Sequence, residues 1–296
     1  MEQKEVIVLK NIGKKWLAPV IALLIAVVVL TVGLADNKEP VQYDVVFLGD
    51  SIIGNEAGKE SIVKVIEERL EKTVYNGAFG GSCMSFGNDQ RWESSGVDQW
   101  SMVKLAQAIY ADDFYSQLAL VTTAEKYRNK NLLVLDYFEE RLKGLAQVDF
   151  SEVELLLIEH GTNDYNLGQM LESDTDPYDM TTFAGALRTT LSLLQDKYPN
   201  MQIVLISPIY CELRGDVIRK SYETDLGGGI LDEYVQKEKE IAEEFGVEWI
   251  DMYHESGIWE ENAAEYLFDG LHLTDKGKVI YGNKIADYLI ESDDVK

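Results

Sequence analysis

YDVVFLGDS, Tyr43–Ser51, is an apolar run that ends in Gly-Asp-Ser, and SIVKVIEERL, Ser61–Leu70, follows it with Ile62, Val65, Ile66 and Leu70 on one helical face. The unit reads as buried strand, loop, helix. Comparable runs recur in EVELLLIEHGTND (152–164), QIVLISPIY (202–210) and VEWIDMY (247–253), separated by helical stretches such as Phe183–Lys197 and Leu231–Phe245. Such alternation predicts an α/β fold with a parallel sheet covered by helices on both faces. In that architecture the loops leaving the carboxyl ends of the strands build the site. Gly49-Asp50-Ser51, the glycines of YNGAFGGS (75–82) and Gly161-Thr162-Asn163-Asp164 all fall at such ends.

The chain has 296 residues, 27% charged and 46% apolar, enough to bury a full core. WLAPVIALLIAVVVLTVGLA, residues 16–35, carries no charge and is long enough as a helix to cross a bilayer. Lys4, Lys10, Lys14 and Lys15 precede it, which predicts a cytoplasmic tail (1–15), a signal anchor (16–35), a polar linker (36–42) and a domain (43–292) outside the cytoplasm. Gly33 and Ala35 also suit signal-peptidase cleavage near Ala35, giving a secreted domain as the alternative; the length of the apolar run favours the anchor.

Residues 1–35 hold four lysines and two glutamates, which leaves 23 basic and 50 acidic residues beyond them, a net charge of −27. That balance argues against nucleic acid as a partner. Cys83 and Cys211, 128 positions apart, read as two unpaired buried thiols. No CxxC, HExxH or histidine cluster points to a metal. Between Ser82 and Phe150 lies a long helical interval, with Met102, Leu105, Ala106, Ile109 and Tyr110 on one stripe that reads as core. Phe86, Trp92 and Trp100, near its start, are candidates either for burial or for stacking on a sugar or acyl chain.

Ser51 is a candidate nucleophile, which needs a neighbouring base because a free hydroxyl barely ionises. His272 can serve, in the loop before a helix capped by Thr274, and Asp269 three residues earlier would fix its tautomer and stabilise its cation. Gly81 and Asn163 can supply oxyanion donors. His160, at a strand end, has nothing nearby to orient it, and His254, in DMYHESGIW, follows the last strand and could approach the same edge; both read as structural or peripheral.

Four blocks, FLGDS (47–51), YNGAFGGS (75–82), IEHGTND (158–164) and FDGLHLTDKG (268–277), resemble those of the SGNH hydrolases, or GDSL esterases and lipases. The resemblance covers Tyr43–Leu289, with a helical insertion at about 82–150. It implies a flavodoxin-like three-layer α/β/α sandwich, a Ser51–His272–Asp269 triad, an oxyanion hole from Ser51, Gly81 and Asn163, and no cofactor. Ala78 stands where the family's second block usually has glycine, and Gly80 is an alternative to Gly81. The implied activity is cleavage of an ester, foremost an O-acetyl group on an extracytoplasmic glycan. Acyl transfer to cell-wall polymers, lipase or thioesterase action, and non-enzymatic glycan binding are the other readings. G-x-S-x-G, the nucleophile elbow of α/β-hydrolases, is absent.

Overall fold

The central strands of the sheet have sequences that leave no polar face. A computed structural model describes residues 40–55, 58–87, 97–127 and 134–292. β1 (Val45–Gly49) and β3 (Leu155–Glu159) are buried at every position, as continuous apolar runs require when helices cover both sides. With β2 (Val74–Asn76), β4 (Gln202–Ile206) and β7 (Glu248–Ile250) they form a parallel sheet in the order β2-β1-β3-β4-β7. This strand order reverses direction of winding at β1/β3. There the register sets Gly49 beside Glu159, so the loops after these two strands emerge side by side.

Helix α1 (Ser51–Gly54) is one turn. α2 (Ile62–Leu70) is capped by Ser61, whose hydroxyl accepts the Lys64 N–H, and buries Ile62, Val63, Ile66 and Leu70. α3 (Met102–Ala111), α4 (Tyr115–Tyr127) and α5 (Phe138–Leu145) occupy the long interval between β2 and β3. After β3 come α6 (Thr162–Asn166) and α7 (Phe183–Lys197); α8 (Leu231–Phe245) precedes β7, and α9 (Met252–Glu255), α10 (Ala263–Tyr266) and α11 (Asp275–Glu291) follow it. α2 packs on α11, while α7 packs on both α3 and α8, giving the helical layers of a three-layer α/β/α sandwich.

Met102, Leu105, Ala106 and Ile109 are buried as the stripe predicts, but Tyr110 is exposed and its hydroxyl donates to Asp196. A short hairpin, β5 (Glu212–Leu213) and β6 (Arg219–Lys220), lies between β4 and α8. Two residues per strand leave no alternation to read, so it was not expected. Cys83 and Cys211 are free and buried. The expected membrane segment, 16–35, lies outside the described residues, among which no helix is long and apolar enough to cross a bilayer.

Candidate active site

β1 ends at Gly49, and the buried Asp50 turns the chain: its Oδ1 accepts the Ile52 N–H at 2.8 Å and caps α1. Ser51 is thereby the first residue of the turn, half-buried, with Oγ 2.9 Å from His272 Nε2. The partner loop comes from the far end of the chain. It is closed by a bridge between Leu267 and Leu273 and by the Phe268 N–H donating to His272 O at 3.0 Å. Thr274 caps α11 by accepting the Gly277 N–H. Gly270 sits at φ 93°, and a Cβ there would meet Glu212 O at 2.3 Å; the Glu212 N–H donates to Gly270 O at 2.8 Å, which ties the hairpin to this loop.

The three-residue spacing of Asp269 and His272 has a local cause. Oδ1 of Asp269 accepts the backbone N–H groups of Leu271 (3.0 Å) and His272 (2.7 Å), which fixes the loop, and leaves Oδ2 to meet His272 Nδ1 at 2.7 Å. Burial pushes the Asp269 carboxyl up, but the side-chain and backbone hydrogen bonds of His272 and Leu271 more than offset this and hold it below the usual range. The tautomer that donates from Nδ1 presents an unprotonated Nε2 to Ser51. Phe268 stacks on the imidazole, with centroids 5.7 Å apart and planes at 20°.

The expected oxyanion donors lie in the segments after β1, β2 and β3. Neither the Ser51 nor the Gly81 N–H has a hydrogen-bond acceptor among the described residues. Gly81 adopts φ 77°, a conformation costly for a side chain. The Gly80 N–H, by contrast, donates to Tyr137 Oη at 2.9 Å, so Gly81 rather than Gly80 has the unengaged donor. Asn163, on α6, directs Nδ2 to Asp50 Oδ2 (3.0 Å) and Ser82 O (2.9 Å). Both of its amide hydrogens are thus engaged, and an oxyanion must take a share of one of them.

Several residues that hold these groups escaped the sequence reading. Asp164 accepts Met84 N–H (2.8 Å), Ser85 N–H (3.0 Å) and Ser85 Oγ–H (2.5 Å), pinning the segment after Gly81; burial pushes its carboxyl up to about 6. Tyr137, from the insertion, braces Gly80, and Arg141 lies over its ring at 4.2 Å while donating to Ala78 O at 2.7 Å. Asp164 closes the block IEHGTND beside Asn163, which is a readable signal, whereas nothing local marks Tyr137.

The other histidines stand apart from Ser51. His160 is buried, with Nε2 3.0 Å from Ser82 Oγ, and burial lowers its pKa to about 3. His254 is exposed and paired with Asp251 and Asp232. Trp100 is core, packed between Phe79 and Phe138 at 5.6 and 5.2 Å, and Phe86 is partly buried with Lys104 over its ring. Trp92 lies outside the described residues.

Solved structures share this fold. A protein from Lactobacillus plantarum superposes with a TM-score of 0.58 at 21% identity, covering 85% of this chain and 98% of its own. A possible lipase from Chitinophaga pinensis gives 0.53 at 17%, covering 85% and 99%. At these identities the likeness is one of fold. No curated protein sequence matches the chain. The family model of the GDSL-like lipases and acylhydrolases matches residues 47–280, a span that holds Ser51, Gly81, Asn163, Asp269 and His272. The chain therefore belongs to the GDSL-like lipase/acylhydrolase family and is a serine hydrolase of carboxylic esters.

Proposed function

We propose that this protein removes short acyl groups, foremost O-acetyl, from a glycan outside the cytoplasm, through an acyl-enzyme on Ser51. The observation that carries the mechanism is the unbroken line Asp269–His272–Ser51, with contacts of 2.7 and 2.9 Å, beside two unengaged N–H groups. Oγ of Ser51 attacks the ester carbonyl as His272 Nε2 takes its proton. Asp269 accepts from Nδ1 and balances the imidazolium. Ser51 N–H, Gly81 N–H and the Asn163 amide receive the oxyanion. Collapse expels the alcohol with the proton from His272. Water, activated by the same imidazole, then releases the acid.

Crowding on one side of Ser51 supports a short acyl group. A Cβ on Gly80 would lie 3.0 Å from Tyr137 Oη, 3.1 Å from Leu135 Cδ1 and 3.7 Å from Ser51 Cβ, which leaves little width for a long chain there. The uncharged run 16–35, with lysines before it, supports a membrane anchor that holds the domain outside, and the acidic composition disfavours anionic polymers such as nucleic acid.

The test is turnover by the full chain of acetylated sugars and of aryl esters of graded chain length, with and without a polymeric hydroxyl acceptor. Acetate released to water, with kcat/KM falling as the acyl chain grows, is the expected result. Preference for long chains identifies a lipase, and acetyl appearing on the acceptor in place of free acetate identifies a transferase.

A further inference from the structure

Beneath the catalytic turn lies a carboxyl with nothing to bind. Glu159 ends the apolar β3, is fully buried, and neither of its carboxyl oxygens has a hydrogen-bond partner among the described residues. The sheet register puts it beside Gly49, the residue before Asp50. Asp50 follows Gly49 directly, so two fully buried carboxyl residues share this end of the β1/β3 pair. Asp50 is also fully buried, but it accepts two bonds, from Ile52 N–H at 2.8 Å and Asn163 Nδ2 at 3.0 Å.

Two carboxyls buried side by side cannot both be ionised, and the one that accepts more hydrogen bonds keeps the charge. Asp50 has two donors within 3.0 Å, whereas Glu159 has none at hydrogen-bond geometry and only the Asp50 backbone N–H acts on it. We propose that Glu159 is a positioning residue that retains its proton and donates it to Asp50, so that a single negative charge on Asp50 holds the Asn163 amide and the turn bearing Ser51. Without that proton the carboxyls can only oppose each other as acceptors. With it, the unpartnered Glu159 becomes the donor that Asp50 lacks on that side.

Charge in the surroundings favours the same assignment. Glu159 faces Asp50, Glu238 of α8 and Tyr281 of α11, and Asp50 also faces His272 and Asp164. Burial and the neighbouring Asp50 charge hold the Glu159 pKa well above the carboxylate range, while burial raises Asp50 to about 6, tempered by its bond from Ile52. Burial likewise raises Tyr281 and Glu238. Among the described residues, the charged groups that act on Glu159 are the carboxyls of Asp50 and Glu238. Ionisation of Glu159 at high pH would therefore repel Asp50 and disturb Asn163, appearing as an alkaline limb in kcat.

This inference rests on Asn163 as an oxyanion donor, so one measurement is made without turnover. The infrared difference spectrum between the parent and Glu159→Gln, at neutral pH, should show a protonated-carboxyl C=O band in the parent; its absence overturns the proposal whether or not the protein cleaves esters. In kinetics, Gln keeps a donor toward Asp50 and cannot ionise. Glu159→Gln should hold kcat within about threefold at pH 7 and lose the alkaline limb, while Glu159→Leu should lower kcat roughly tenfold or more with KM little changed. A Gln variant that keeps the parent's alkaline limb, or loses as much kcat as a folded Leu variant, overturns it. If the Leu variant does not fold, the spectrum and the Gln profile decide.

Discussion

His254 meets Asp251 much as His272 meets Asp269: Nδ1 lies 2.9 Å from an aspartate oxygen three residues back, against 2.7 Å in the catalytic loop. In each case the same aspartate also accepts the histidine's backbone N–H. The Asp-x-x-His spacing is thus a local turn that any chain can use, and what differs is the far side of the ring. Nε2 of His254 faces Asp232 at 3.4 Å, whereas Nε2 of His272 faces the Ser51 hydroxyl at 2.9 Å.

This contrast sets the first prediction. His272→Gln should reduce kcat for a short-chain ester by roughly four orders of magnitude or more, while His254→Gln should leave it within about twofold. Parallel assays of the two purified variants check this. Comparable losses in both would remove His272 from its role as base.

Asn163→Ala takes away one proposed oxyanion donor and also leaves Asp50 Oδ2 and Ser82 O short of a partner. kcat should fall about a hundredfold or more, with a lowered melting temperature from the two lost bonds. Steady-state kinetics with a thermal melt separate the effects. A change confined to KM would make Asn163 a substrate-binding residue.

Tyr137→Phe removes the acceptor for the Gly80 N–H without emptying the space the ring fills. The expected cost is about 1 kcal/mol of stability, with a several-fold drop in kcat as the Gly81 donor loses its brace. Denaturant midpoints and turnover of one ester read both. An unchanged kcat in a destabilised variant would limit Tyr137 to folding.

Glu238 is buried with the Trp249 indole N–H donating to it at 3.1 Å, and burial pushes its pKa from 4.5 up to about 8. The folded protein therefore holds a proton that the unfolded chain releases near 4.5. Its contribution to stability is fullest below that pH and is lost as pH rises to about 8. Glu238→Gln keeps the acceptor for Trp249 and cannot titrate. Melting temperatures across pH 5–9 should decline less for the variant than for the parent, and parallel curves would contradict this.

The sheet was legible because β1, β3 and β4 are unbroken apolar runs, and Phe183–Lys197 and Leu231–Phe245 form the helices their periodicity predicts. Ser51, Asp269 and His272 could be picked out because each stands in a short motif. Asp50 and Glu159 were harder to read: a carboxylate at a strand end is equally at home in solvent, and only the strand pairing reveals that these two share one buried space. Tyr137 reaches Gly80 across 57 positions, a relation that no local pattern encodes. Trp100 illustrates the opposite difficulty, since an aromatic after a glycine loop suits a binding face or a core equally well in sequence.

Ser51 and His272 stand 221 positions apart, so a ribosome emits the nucleophile well before the base. The nucleophile, Gly81 and Asn163 all belong to strands and loops that precede β4, but the base arrives on the segment before α11, which is held in place by packing on α2. A chain cut before Asp269 has the Ser51 hydroxyl without the imidazole that faces it. The triad is therefore assembled only through the packing of elements far apart in the chain, α2 against α11.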